Sequence, residues 1–283
     1  MEQKGFPWTE QHEVQTSQGP VKLPILYYDT GMTTAVFRAP RKNLNRLLEP
    51  TPLLPIGWGP DFGMVWITCF EYREVTLEPY NELSVSVPCY LQQQRGVFEG
   101  LFRRLALRDM SLLVLHLPVT TQEARGAGWE MWGYPKHVER IDYDESGADV
   151  KFELGWKSGT DIAVNVPKAG GFGVPAFPVT SFTVKGTDVI RTKIPARFSA
   201  ALHRGRGASL TLGEGPVSET LKSLETEETP LFTLTSTRYQ CQLPEGRAVA
   251  RAEGPPSCYE TAIQAAKEAA APKKKAAKSA AKK

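Results

Sequence analysis

Ten residues, Gly128-Trp129-Glu130-Met131-Trp132-Gly133-Tyr134-Pro135-Lys136-His137, hold the side chain best suited to chemistry in this chain. Proline fixes its own φ and drives the preceding residue into an extended conformation, so Tyr134-Pro135 aims the next side chain reproducibly. That next residue is Lys136, set among Trp129, Met131, Trp132 and Tyr134. Burial among such side chains disfavours an ammonium and favours the free amine, which is a nucleophile. A Pro-Lys pair taken alone is more often a turn with a solvated lysine, so its surroundings have to carry the case.

Other chemistries find less support. Four cysteines (Cys69, Cys89, Cys241, Cys258) lie far apart without a CxxC pair. Four histidines (His12, His116, His137, His203) show no HxxxH or HxH spacing. No metal site, disulfide framework or cofactor is therefore expected. The stretch from Lys168 to Gly173 is rich in glycine but fits neither GxGxxG nor GxxxxGK[ST], and the prolines that follow cannot open a helix. It reads as a flexible loop bordering a site. No GxSxG is present.

Charge and composition bound the rest. The chain has 283 residues, 41% hydrophobic and 23% charged, which suits a soluble globular protein with a sizeable core. The net charge of +3 resides in the end of the chain. Residues 272–283 contain six lysines and no acid, and without them 28 basic face 31 acidic residues. Nucleic-acid binding is thus not expected beyond weak, salt-sensitive contacts of that tail. No apolar run is long enough to span a bilayer and the start lacks a basic region followed by an apolar one, so a cytoplasmic location without membrane attachment is expected.

The elements that must position Lys136 are mostly strands. Residues 64–70, 83–90 and 111–119 read as strands. Residues 138–144 and 150–156 form a hairpin across Glu145-Ser146-Gly147, and 181–185 pairs with 189–194 across Gly186-Thr187-Asp188. Residues 162–166, 209–212 and 231–242 add further strands. Leu44, Leu47 and Leu48 mark a short helix over 41–48 closed by Pro50, and Phe98, Leu101, Phe102 and Leu105 mark another within 92–108. No βαβ rhythm appears, which argues against a Rossmann-type domain. The expectation is α+β but mainly β: an antiparallel sheet, curled or closed, with few peripheral helices. Residues 1–20 read as a loosely attached polar lead-in and 21–258 as the domain. Residues 259–283 read as a disordered Ala/Lys-rich appendage, with helix propensity up to 270.

Gly128, Glu130 and Tyr134-Pro135-Lys136 together resemble the signature of the acetoacetate decarboxylase superfamily. Tyr80-Asn81-Glu82 followed by Val87-Pro88, the opening Ala35-Val36-Phe37-Arg38, and Gly207–Leu212 with Pro216 and Leu224 resemble its flanking elements. The resemblance spans roughly residues 20–245. It implies a cone-like antiparallel β-barrel with the lysine in an apolar cavity. It further implies that Lys136 forms a Schiff base with a small keto acid or ketone, with Glu82 moving protons or orienting the substrate. Decarboxylation, aldol cleavage and dehydration share this intermediate. Glu130 is implied to buttress the loop, and His137, Tyr134 and Trp132 to support or line the pocket. Homo-oligomers are common in the family and are expected here. His137 stands where the decarboxylases carry a second lysine, and Leu26 and Ile67 stand at the registers of a cavity arginine and a second glutamate. Those departures imply a less anionic or bulkier substrate than acetoacetate. They also leave room for a catalytically silent barrel that binds an apolar carbonyl ligand or serves as an assembly subunit.

Overall fold

The computed structural model describes residues 6–57, 60–94, 111–168, 171–177 and 179–270. In chain order the strands are β1 (His12–Thr16), β2 (Gly19–Leu23), β3 (Ile25–Pro40), β4 (Leu53–Pro55), β5 (Phe62–Val75) and β6 (Tyr80–Leu91). They continue with β7 (Ser111–His116), β8 (Ile141–Asp144), β9 (Asp149–Trp156), β10 (Gly159–Pro167), β11 (Phe172–Pro175) and β12 (Val179–Lys185). The last are β13 (Asp188–Ile194), β14 (Ala196–Arg204), β15 (Ser209–Leu212), β16 (Phe232–Ser236), β17 (Tyr239–Leu243) and β18 (Arg247–Arg251). The α-helices are α1 (Arg41–Leu48), α2 (Gln122–Trp132), α3 (Pro216–Ser223) and α4 (Glu260–Ala270). No helix among the described residues is long and apolar enough to cross a membrane.

The fold is mainly β, as the succession of hairpins predicts. A 12-stranded sheet runs β11-β14-β16-β3-β5-β6-β7-β12-β13-β18, with β17 beside β14 and β3 and with β4 on β6. Its ladders are antiparallel except for β7 on β12, a parallel pair that the hairpin reading did not anticipate. A four-stranded sheet, β15-β10-β9-β8, covers one face. Strands β3 and β5 are long enough to bend, and the sheet curls until Tyr27 of β3 and Ile194 of β13 border one cavity.

Period-2 alternation explains how one sheet separates two cores. On β5, Val65, Ile67 and Cys69 face the small sheet, while Met64, Trp66 and Tyr72 face the other way. On β6, Leu83, Val85 and Val87 pack with the first set, which leaves Glu82, Ser84 and Ser86 on the opposite face. Burying each such aliphatic side chain contributes about 1.5–3 kcal/mol.

Three expectations need correction. Residues 1–20 are not merely a lead-in: β1 pairs with β2 in register from His12↔Leu23 to Thr16↔Gly19, and Val21 and Leu23 are buried. A hairpin that buries every second residue of one strand needs few apolar side chains, so its composition reads as loop. The predicted appendage is part of the fold up to Ala270. Tyr259 is buried and donates its hydroxyl proton to the Val114 carbonyl at 2.6 Å, with Ala262 also buried. The single run expected over 231–242 is two strands, because β3 and β14 each pair with β16 along one part and with β17 along another. The helix expected within 92–108 and the lysine-rich end lie outside the described residues, apart from a 3-10 turn over Gln92–Gln94.

Candidate active site

Helix α2 opens at Thr121, whose side chain accepts a hydrogen bond from the Ala124 amide. It ends at Gly133, whose φ of 66° lies in the left-handed region that glycine adopts without strain. The chain then doubles back, with the Tyr134 amide donating to the Gly128 carbonyl at 3.1 Å and the Lys136 amide to the Tyr134 carbonyl at 2.7 Å. Next it runs beside residues 117–119. Leu117 N–H donates to Pro135 O at 3.1 Å and Val119 N–H to His137 O at 3.0 Å. Glu82 bridges Val119 from the other side, and the Leu83 amide donates to Pro118 O at 3.0 Å. Residues 117–119 thus hold Glu82 and Lys136, 54 positions apart in sequence, against one cavity.

Lys136 is 4% exposed and Glu82 7%. Lys136 Nζ donates to Glu82 Oε2 at 2.7 Å, and the Tyr72 hydroxyl donates to Glu82 Oε1 at 3.0 Å. Such a pair survives burial only because each charge meets its partner at hydrogen-bond distance. The ammonium also lies 5.5 Å from the ring centre of Tyr80 and 5.9 Å from that of Tyr134, within cation–π range. Tyr27 and Tyr80 share a hydrogen bond of 3.1 Å, and Tyr134 and Ser181 one of 2.7 Å. Burial, with the Glu82 charge second, pushes the phenols of Tyr27, Tyr72 and Tyr80 well above the ordinary tyrosine value. They therefore remain protonated, with Tyr72 donating to Glu82 and one of Tyr27 and Tyr80 donating to the other. The cavity bordered by Tyr27, Tyr72, Tyr134, Glu82 and Lys136 has a volume of about 100 Å³, with apolar walls that include Phe70, Val114 and Ile194.

Gly128 makes room for the lysine. A Cβ at that position would lie 2.5 Å from Lys136 Cδ and Cε and 3.1 Å from Nζ. The glycine of the signature is thus a steric vacancy for the lysine stem.

The other residues singled out from the sequence divide. Tyr134 lines the cavity with Lys136 and Glu82. His137 does not, because alternation along the extended segment turns it away from Lys136. Its ring meets Trp156 edge-on at 6.1 Å, and neither nitrogen has a hydrogen-bond partner among the described residues. Burial lowers the His137 pKa to about 4. Burial, then the neighbouring His137, lowers that of His116 to about 3, while His116 Nε2 sits 2.8 Å from Thr220 Oγ1. Trp132 is fully buried behind the site and donates to the Pro244 carbonyl at 2.8 Å. Glu130 lies outside the cavity and ties α2 to the β1–β2 turn, accepting from the Ser17 amide at 2.9 Å and from its hydroxyl. Leu26 and Ile67 are off register. The cavity is faced by Tyr27 and Thr68, one position further along each strand, while Ile67 packs in the opposite core. Arg38 lies 4.8 Å from the Phe62 ring and Glu71 pairs with Arg73 at 2.9 Å; neither lines the cavity. The glycine-rich loop leads into β11 on β14, and none of its described residues lines the cavity.

Sequence reasoning did not find Tyr72 or Tyr27. Alternation from Thr68 through Phe70 to Tyr72 marks a common face, but only the pairing Phe70↔Glu82 reveals that this face is the site.

Comparison with known proteins follows the same lines. The acetoacetate decarboxylase (ADC) family matches residues 7–170. Among solved structures, the acetoacetate decarboxylase of Legionella pneumophila superposes with a TM-score of 0.64 at 12% identity, over 88% of this chain and 93% of that one. An acetoacetate decarboxylase-like enzyme from Sphingomonas wittichii RW1 gives 0.59 at 13%, over 82% and 95%. The enduracididine biosynthesis enzyme MppR, solved with pyruvate, gives 0.59 at 13%, over 80% and 91%. At such identity the likeness is one of fold. No curated protein matches the sequence.

Proposed function

This chain belongs to the acetoacetate decarboxylase family, and on that premise we propose that it is a Schiff-base-forming enzyme of lyase type acting on a small keto acid or ketone through Lys136. The observation that carries the reading is the buried 2.7 Å hydrogen bond from Lys136 Nζ to Glu82 Oε2 at the wall of a cavity. Transfer of one proton along that bond leaves a free amine and a carboxylic acid. The amine adds to the carbonyl carbon, and Glu82 returns its proton as the carbonyl oxygen leaves in water. The resulting iminium accepts the electron pair of a bond broken at the adjacent carbon, which gives a neutral enamine. Tyr72 holds Glu82 Oε1, so that Oε2 keeps facing the amine through both steps. Tyr134 and Tyr80 supply ring faces to the cationic nitrogen.

The test is reduction with cyanoborohydride in the presence of a panel of ketones and keto acids, with mass mapping of the modified peptide. A substrate-sized mass increment on Lys136, absent in Lys136→Met, is the expected result. A folded wild-type protein that gives no adduct across the panel would refute the reading and leave a barrel that only binds.

A further inference from the structure

Charge and hydrogen-bonding capacity in the cavity discriminate among carbonyl compounds. Lys136 and Glu82 are the charged side chains among the described residues that line it, and they neutralise each other. Most hydroxyls around them are engaged: Tyr72 with Glu82, Tyr27 with Tyr80, Tyr134 with Ser181, and Thr68 with Thr34. Ser84 and Ser86 differ. They follow Glu82 along the same face of β6 and reach the cavity, and they take no part in the pairs just named. They are neutral groups suited to a neutral oxygen.

We propose, resting on the Schiff-base reading, that the compound taken up here is an uncharged ketone or aldehyde bearing a second neutral oxygen, rather than a keto acid. Size restricts the compound without choosing between the two classes: a cavity of roughly 150 Å³ holds benzene, so about 100 Å³ takes a molecule of roughly four or five heavy atoms beside the lysine. For an uncharged carbonyl the protons balance within the site. The ammonium and the carbonyl give iminium and water, with Glu82 ending as carboxylate. Glu82 then takes the proton from the adjacent carbon, leaving a neutral enamine and a carboxylic acid. A keto acid adds a negative charge where Lys136 is already paired with Glu82, so it enters only with a proton drawn from solution.

Hydroxyacetone and pyruvate test this, being close in size and different in charge. Each is trapped on the full-length protein with cyanoborohydride at pH 7, and the rate of Lys136 labelling is divided by the rate of the same compound with free butylamine. The normalised rate for hydroxyacetone is expected to exceed that for pyruvate at least about tenfold, equivalent to about 1.4 kcal/mol. The pyruvate rate is expected to rise as the pH is lowered. Labelling of Lys136 by pyruvate at an equal or greater normalised rate would overturn the uncharged-substrate assignment while leaving the Schiff base intact. Labelling by neither compound, nor by acetone, would overturn both.

Discussion

Replacing Gly128 by alanine places a methyl group 2.5 Å from Lys136 Cδ and Cε. Ordinary van der Waals contact begins at 3.4 Å, so the lysine stem must move by about 0.9 Å. The Lys136–Glu82 hydrogen bond measures 2.7 Å, and displacement on that scale takes it past the roughly 3.2 Å limit of a good hydrogen bond. Breaking a buried pair costs up to about 3–5 kcal/mol, while alanine in a helix interior returns about 1 kcal/mol over glycine. The net destabilisation is then at most about 4 kcal/mol, which a domain of this size survives with a lowered melting temperature. Reactivity falls further, because an ångström of misplacement at a nucleophile costs on the order of 100-fold. Gly126→Ala is the control within the same helix. Its methyl group meets Cγ of Gln18, an exposed side chain that can rotate aside at the loss of one 3.3 Å hydrogen bond to Ser17 Oγ. Cyanoborohydride trapping rates and calorimetric melts of both variants are the assay. Gly128→Ala labelling at the wild-type rate, or Gly126→Ala losing as much, would refute the steric argument.

Three further outcomes are expected. Tyr72→Phe removes the donor to Glu82 Oε1 and should slow adduct formation at least about tenfold with the fold intact, the loss expected from the roughly 1.5–3 kcal/mol of a hydrogen bond to a charged group; an unchanged rate counts against the tyrosine's role. Burial lowers the His137 pKa to about 4 from the 6.5 of a free imidazole, so between those values the unfolded chain binds a proton that the folded chain does not. Stability is therefore lost as pH falls through that window, by roughly 3 kcal/mol from this ring, and is indifferent to it above. His137→Phe should flatten the acid side of a urea-midpoint profile, and an unaltered slope would contradict the buried neutral ring. Tyr259→Phe deletes the hydroxyl that meets the Val114 carbonyl and should cost about 1–3 kcal/mol in urea denaturation, whereas no cost would mean that the segment preceding α4 does not brace the core.

Much of the local architecture was legible without coordinates. The α1 boundaries, the hairpins around Gly147 and Gly186, and the strand at 209–212 follow from periodicity and turn residues within a few positions of one another. So does the extended approach to Lys136, which Tyr134-Pro135 imposes locally. The family signature added Glu82. What eluded the sequence depends on pairing at long range. A strand's alternation defines two faces but not which core each joins, so Leu26 and Ile67 were placed one residue away from Tyr27 and Thr68, the residues that border the cavity. The same ambiguity put His137 beside the site instead of behind it.

By itself, then, the sequence determined a mainly β chain with a lysine aimed by its neighbours, because backbone conformation and period-2 patterning are set by residues close along the chain. Tertiary structure alone decided that Glu82 meets that lysine, that Tyr72 holds Glu82, and that Gly128 leaves space for the stem. Those contacts arise where segments tens of residues apart are brought into register by burial, and register is a property of the folded sheet rather than of any one strand.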